Sequence, residues 1–512
     1  MKMGDTMTQK QKDLIAKLGY QPFDPNKKID SKHLIKKVNV AKGPVKHIDS
    51  ISKIFDLIPI KDGMTLSFHH HLRNGDFVLN HVLAEIKKRN LKDIGIAASA
   101  IFPVHEPMVE LIKNGQITHI YTNYINGPVA HAVSQGHLKG LIVMDSHGGR
   151  PRAIETGELV IDVAFIATPA ADAFGNGNGI EGKSACGALG YAIADMKYAK
   201  HKVLITDHLI DQLAYKEIDG TYIDDIVVLE QIGDARGILS GTTHPTRNPV
   251  QLKIAKDTVK LMDALGYIKD GLTFQSGAGG ISIAVAKLLK EQMIKYSVKG
   301  HFASGGVTQY LVEMLEENLF EKLYDVQCFD LKAVESYKKN ANHIPMSASK
   351  YANPNEADPI VNQLDVVILG ATEVDLSYNV NVTTDSNGQL MGGSGGHSDT
   401  AYGSKLTIIT TNLTKSRLPI IKKQVTTMTT PGVDVDCIVT ERGIAINPKR
   451  QDLINQLKGS KLNIMTIESL YDLAIQMTGE PETIHQVDRI IGFTRYRDGS
   501  VLDVLYEIKG VD

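Results

Sequence analysis

The stretch ILGATEVDLSYNVNV, residues 368–382, carries an apolar run into a single glutamate, Glu373, and then alternates toward Asn379 and Asn381. Ligands of open α/β sheets gather outside the carboxyl ends of the strands. A carboxylate at such a strand end is a candidate for attacking or orienting an acyl group. The plainer reading of the same residue is a solvated loop glutamate. A second candidate is FQSGAGGISIAVAKLL, which reads as a strand, a turn at Gly277, Ala278, Gly279 and Gly280, and a helix. Backbone N–H groups in such a turn, helped by the helix N-terminus, suit an anion or a developing oxyanion. The same turn also serves simply to close a strand–helix corner. It lacks a full Gly-x-Gly-x-x-Gly and a ribose-reading acid, so no dinucleotide site is expected.

Cationic residues cluster beside other glycines. SFHHHLRNGD contains His70 and Arg73, and MDSHGGRPRAIETGE contains Arg150 and Arg152. MGGSGGHSDTAYGSK contains Gly392, Gly393, Gly395, Gly396, His397 and Lys405. Three adjacent histidines cannot all face one ion, so no metal site is expected. A guanidinium with imidazole donors suits a carboxylate-rich anion better. Glycine loops cost entropy to order, and their number points to close approach to an elongated, anionic ligand.

These residues need a scaffold, and the chain writes it twice. DSISKIFDLIPIKDGMT (49–65) lies without a gap over DTVKLMDALGYIKDGLT (257–273), and Lys61, Asp62, Gly63 and Thr65 recur 208 positions later. DVAFIATPAADAFGNGN (162–178) lies over DVVILGATEVDLSYNVN (365–381), so Asp162, Asp172, Asn176 and Asn178 recur 203 positions later. Two matches at nearly one offset indicate internal duplication. Glu373 then aligns with Ala170, an asymmetry between the copies that singles the acid out.

Within a copy, short apolar runs such as MTLSF, DIGIAAS and DVAFIAT alternate with helical patterns such as GDFVLNHVLAEIKKR. That alternation predicts an α/β fold of two duplicated lobes with mostly parallel sheets covered on both faces. The expected boundaries are a helical lead (1–39), two lobes (40–245 and 246–450) and a C-terminal extension (451–512).

At 512 residues the chain exceeds a single core. Its 56 Lys and Arg nearly balance 58 Asp and Glu, so neither nucleic acid nor a membrane surface is the expected partner. No run of eighteen apolar residues and no apolar leader is present. Three cysteines without Cys-x-x-Cys spacing fit a reducing cytoplasm.

Taken together, SFHHHLRNGD, DSHGGRPRAIETGE, GNGNGIEGKSACGALGYA, FQSGAGGISIAVAKLL, GGSGGHSDTAYGSKLTII and TTPGVDVDCIVTERGIAINPKR resemble the citrate lyase alpha chain family of the CoA-transferase superfamily, over nearly the whole length. The resemblance implies the NagB/RpiA/CoA-transferase type of fold and exchange of an acetyl thioester for citrate. The thioester arm is of the phosphopantetheine type, supplied by an acyl carrier protein (the gamma subunit) or as free CoA, with no cofactor bound intrinsically. It also implies a lyase beta subunit that cleaves the citryl group, within an oligomeric complex.

Two styles of chemistry are implied. In one, Glu373 attacks the thioester. In the other, citrate's own carboxylate attacks and Glu373 only orients. Citrate would be held by His70, Arg73, Arg150 and Lys183, and the arm by Gly392, Gly393, Gly395, Gly396 and His397. The competing reading is a CoA-transferase or acyl-CoA hydrolase for another carboxylate, acting through a glutamyl thioester.

Overall fold

The computed structural model describes residues 7–27, 29, 35–239, 245–277, 279–481 and 486–509. The expected strands form and are buried on both faces: Ile94–Ala98 and Val163–Thr168 are buried at every position. Each fully buried Val, Leu or Ile contributes about 1.5–3 kcal/mol. The covering helices start where side chains satisfy free N–H groups. Ser50 accepts from the Lys53 N–H, and Asn248 accepts from the Val250 N–H with Pro249 in the first turn.

The first large sheet is ordered Lys46–Ile48, Asp225–Val228, His201–Thr206, Val163–Thr168, Thr65–Phe68, Ile94–Ala98, Ile117–Thr122, Ile142–Met144, then Gln486–Arg495 and Val501–Ile508. The second is ordered His343–Pro345, Phe320–Cys328, Gly300–Val307, Thr273–Ser276, Val366–Gly370, Leu406–Thr410, Cys437–Val439, Ile444–Ile446 and Ile464–Met465. Seven strands occupy matching places in the two orders, from Thr65–Phe68 opposite Thr273–Ser276 outward. Apart from Cys437–Val439 with Ile444–Ile446 and the terminal hairpin, the ladders of these sheets are parallel.

The repeat holds down to single hydrogen bonds. Asp62 Oδ1 accepts from the Lys92 N–H at 2.7 Å and Asp270 Oδ1 from the Lys299 N–H at 2.8 Å. Asp162 Oδ2 accepts from the Thr65 N–H at 2.8 Å and Asp365 Oδ2 from the Thr273 N–H at 3.0 Å. Asp172 closes its turn on Phe174 and Asn176, as Asp375 does on Ser377 and Asn379. Each lobe carries a small three-stranded sheet, and Ala170↔Asn178 in the first corresponds to Glu373↔Asn381 in the second.

Residues 451–512, set apart in sequence as an extension, feed both lobes. Ile464–Met465 closes the second sheet, whereas Gln486–Arg495 and Val501–Ile508 join the first sheet beside Ile142–Met144. We therefore propose that this hairpin belongs to the folding unit of the first lobe. The lead contributes the helix Gln9–Lys17, whose Ile15 packs with Phe493 and Val504 of the hairpin.

Candidate functional site

Between the lobes lies a cavity of about 460 Å³ walled by strand ends and loops of both. The first lobe supplies His70, Arg73, Phe102, Tyr124, His147 and Tyr191; the second supplies Gln275, Gly277, Gly279, Gln327, Phe329, Tyr351 and the segment Met391–His397. Arg73 is the only Lys or Arg among the lining residues, and none of them is an acid. Its guanidinium lies 4.7 Å from the Phe329 ring centre and 5.6 Å from that of Phe102, with no carboxylate partner among the described residues. The backbone of Arg73 is left-handed, φ 53°, an uncommon state for a side-chain-bearing residue.

The imidazoles are held neutral. Burial pushes His147 down to about 3 and His397 to about 4, and burial reinforced by His147 and Arg73 takes His70 well below its ordinary value. The Ser99 hydroxyl accepts from the His70 N–H at 3.1 Å and lies 2.6 Å from His70 Nδ1, so it holds both the backbone and the ring of His70. A neutral imidazole held in this way offers one donor and one acceptor nitrogen. His147 Nδ1 is buried without a hydrogen-bond partner among the described residues, and its ring centre lies 4.6 Å from that of Tyr191, the two rings tilted by 47°. The rate of a reaction in this cavity is therefore expected to show no histidine limb between pH 6 and 9. An ionisation in that range that vanishes in His147→Gln would contradict the assignment.

Several residues chosen from sequence lie elsewhere or are already engaged. Arg150 is buried and paired with Asp195 at 3.0 Å, and also donates to Ser67 Oγ at 2.7 Å and the Ala97 carbonyl at 3.1 Å, so it fastens the first sheet and does not line the cavity. Arg152 pairs with Glu158 at 2.8 Å, and Lys405 with Asp365 at 2.8 Å. Lys183 is exposed outside the cavity and donates to the Glu230 carbonyl. Gly277 lines the cavity, but its N–H donates to the Ile368 carbonyl at 3.0 Å and is not free for an oxyanion. Ala278 lies outside the described residues. Gly279 and Gly280 open the 17-residue helix Gly280–Tyr296, whose first N–H groups have no partner four residues back.

The segment Gly392–His397 is a seam between lobes rather than an open loop. Gly392 accepts from the Ile125 N–H at 3.1 Å, the Gly395 N–H donates to the Asn123 carbonyl at 3.2 Å, and the His147 N–H donates to the Gly395 carbonyl at 2.7 Å. A Cβ at Gly393 would stand 2.2 Å from the Asn123 carbonyl oxygen, and one at Gly396 2.4 Å from the Tyr351 hydroxyl. Gly393 is needed for the lobes to meet, whereas Gly396 makes room for Tyr351 within the second lobe. Both ring nitrogens of His397 are used, Nδ1 with Thr430 Oγ1 at 2.7 Å and Nε2 with the Gly370 carbonyl at 2.9 Å.

Glu373 is the largest departure from expectation. It is 0 % exposed, does not line the cavity, and its carboxylate accepts from Lys422 Nζ at 2.7 Å, Ser386 Oγ at 2.8 Å, Asn381 Nδ2 at 2.9 Å and the Thr426 N–H at 2.8 Å. Burial acts to raise its pKa, but Lys422 and these donors bring it below the ordinary value. The asymmetry with Ala170 is real, yet it comes as a pair. Lys422 sits opposite Asp375 where Ile210 sits opposite Asp172, so the second lobe has an ionic Glu373–Lys422 contact where the first has Ala170 and Ile210. Glu373→Gln should cost about 3–5 kcal/mol in urea unfolding by stranding the buried lysine. Because its folded pKa is lowered, this contribution is present above about pH 4.5 and lost as pH falls through the folded value.

The residues missed in sequence are His147, Tyr191, Gln275, Gln327 and Tyr351. Gln275 Nε2 donates to Tyr351 Oη at 2.7 Å, and Gln327 Nε2 to the His70 carbonyl at 2.9 Å, coupling the second lobe to the histidine run. Gln327 follows a bulge at Val326 within its strand, since Gly305 pairs with Asp325 and Gly306 with Gln327. Asp325, Cys328 and His343 bring ligand-type atoms within 4.8 Å of one another under that bulge. They are bonded among themselves, with Asp325 Oδ2 3.0 Å from both Cys328 Sγ and His343 Nε2.

A second cavity of about 660 Å³ adjoins the first and shares Gly279, Ser282, Gly370 and Met391 with it. Thr372, Asp385, Ser386, Thr410, Asn412 and Lys415 line its course along the ends of the second sheet. No described helix is long and apolar enough to cross a membrane.

The chain is similar in sequence and fold to known proteins. The family model described as citrate lyase, alpha subunit (CitF) matches residues 45–508. The Klebsiella pneumoniae citrate lyase alpha chain is 42 % identical over 465 residues, covering 91 % of this chain and 92 % of that one. The Escherichia coli K12 citrate lyase alpha chain is 43 % identical over 454 residues, covering 88 % of each. A solved Streptococcus mutans structure, described as the alpha subunit of citrate lyase in complex with citrate, superposes with TM-score 0.94 at 42 % identity over 99 % of this chain and 100 % of that one. A malonate decarboxylase alpha subunit from Acinetobacter baumannii, TM-score 0.62 at 14 % identity over 86 % of this chain and 90 % of that one, shares the fold alone.

Proposed function

The chain belongs to the citrate lyase alpha-subunit family, and from that premise we propose that the interlobe cavity exchanges the acetyl group of an acetyl thioester for citrate. The thioester is carried on the arm of an acyl carrier protein, the gamma subunit, and the products are citryl-carrier and acetate. A beta subunit then cleaves the citryl group, and the assembly works in the cytoplasm.

One observation carries the mechanism: the described residues of the cavity wall offer a cation and neutral donors but no acid. Citrate's carboxylate is then the nucleophile. Its oxygen bonds to the acetyl carbonyl carbon, the C–S bond breaks, and the arm leaves as a thiolate with a citryl–acetyl anhydride behind. The thiolate attacks the citryl carbonyl, the anhydride C–O bond breaks, and acetate departs. Electrons balance and no net proton is consumed, consistent with histidines held neutral. Arg73 holds a citrate carboxylate, His70 and His147 donate or accept at its other groups, and the first N–H groups of Gly280–Tyr296 face the oxyanion. Holding both reactants in a dry cavity supplies much of the rate. Glu373 is a positioning residue that holds Ser386, in the wall of the second cavity, together with Asn381 and Thr426 behind it. The arm enters along the second cavity, which supports this route by meeting the first at Gly279 and Gly370.

The test is trapping. Incubation with acetyl donor alone, followed by mass spectrometry, is expected to leave every peptide unacylated, while addition of citrate yields citryl thioester. An acyl adduct on Glu373 would instead establish a glutamyl intermediate.

A further inference from the structure

The second cavity opens beside a short hairpin, Thr414–Lys415 paired with Leu418–Pro419, whose turn residues Ser416 and Arg417 are both left-handed at φ 52° and 64°. Lys415 lines the mouth, Arg417 stands at the tip, and both are exposed. Arg247, also exposed, precedes Asn248, which lines the same cavity. No ion pair engages these three cations among the described residues. The rim's acid, Asp385, is turned onto its own loop, where its Oδ1 accepts from the Asn387 N–H at 2.8 Å and the Gln389 N–H at 2.9 Å. Leu418 is 42 % exposed at the same mouth. A rigid two-residue turn keeps a charged tip from folding away, and unpaired rim cations steer an anionic partner and set its salt dependence.

We propose that the hairpin 414–419, together with Arg247, is the docking surface for the carrier protein, receiving the phosphodiester-bearing face from which the arm descends. The inference rests on the proposed exchange, since it takes the second cavity as the route of the arm. It commits to the protein-borne arm, not to a free phosphate or CoA.

The experiment uses the full chain and the double variant Arg247→Glu/Arg417→Glu, whose sites are exposed and line neither cavity. Binding of fluorescently labelled holo-carrier is followed by anisotropy across a salt series, and exchange with citrate is measured from acetyl-carrier, acetyl-CoA and acetyl-pantetheine. The expected result is about tenfold weaker carrier binding with a flatter salt dependence, a matching fall in kcat/KM for acetyl-carrier, and acetyl-pantetheine turnover within twofold of the parent. Unchanged carrier binding overturns the proposal, as does an equal loss with acetyl-pantetheine. Equal losses with carrier and CoA at constant acetyl-pantetheine turnover also overturn it, because the cations then read only the shared phosphate. Hairpin-dependent carrier binding without exchange to citrate from any donor counts against the proposed function and leaves the docking surface standing.

Discussion

Arg73→Ala is expected to lower kcat/KM for citrate by about 10²–10³ while leaving the melting temperature within a few degrees. Among the described residues Arg73 is the lone guanidinium on a cavity wall without acids, and none of their carboxylates pairs with it to be stranded by its removal. A charge-assisted hydrogen bond to a carboxylate contributes about 1.5–3 kcal/mol, and more in a bidentate, desolvated pair. At about 1.4 kcal/mol per factor of ten, one such contact accounts for the loss. The split between constants is informative. Arg73 binds the nucleophile in ground and transition states alike, so most of the change should fall on KM for citrate, with KM for the acetyl donor unchanged. Lysine supplies the charge without the fork, so Arg73→Lys should recover part of the loss. Citrate kinetics within threefold of the parent in Arg73→Ala would remove Arg73 from the site and, with it, the cationic reading of the cavity.

The scaffold was legible because its signals are local. Continuous apolar runs marked the strands, and Asp62 and Asp270 recurred because each accepts the same N–H in its own lobe. The cavity between the lobes lies at strand ends, where the sequence reading looked for a ligand. The choice of side chains was not, because pairing is nonlocal. Arg150 finds Asp195 45 residues on, and Glu373 finds Lys422 49 residues on. Lys422 opposite Ile210's position was the available clue, visible once the small strands after each acid are also aligned. His147, Gln275 and Gln327 come from separate loops and strand ends, and each sits in a segment whose neighbours look structural. Charge next to glycine therefore overstated Arg150 and Lys183, while neutral amides and aromatic hydroxyls that complete the wall left no pattern to find.

Arg497→Met should cost about 3–5 kcal/mol of stability and shift citrate binding through a residue it never touches. Arg497, in the turn of the terminal hairpin, donates to the Ala352 carbonyl at 2.8 Å, lies 4.7 Å over the Tyr402 ring and sits 3.6 Å from Asp399. Asp399 belongs to the second lobe, yet its carboxylate accepts from the Gly148 N–H and Ser146 Oγ of the first, each at 2.9 Å. Those residues flank His147 in the cavity wall. Removing the guanidinium leaves a fully buried carboxylate without a cation, which is the costly way to break such a pair. Burial already raises the Asp399 carboxyl to about 6 even though Arg497 opposes the shift. Since that folded value lies above the unfolded one, the stability Asp399 contributes is present below about pH 3.8 and lost as pH rises through about 6. Without Arg497 the folded value climbs further, so the variant's deficit in urea unfolding should be small at pH 5 and grow toward pH 8. Adding Asp399→Asn removes the stranded charge and should restore much of the stability at pH 8, along with KM for citrate, because the amide oxygen still accepts from the Gly148 N–H. A deficit that stays constant with pH, or that the added Asp399→Asn change deepens, would show that the hairpin holds the lobes by packing alone and that His147 is set by its own loop.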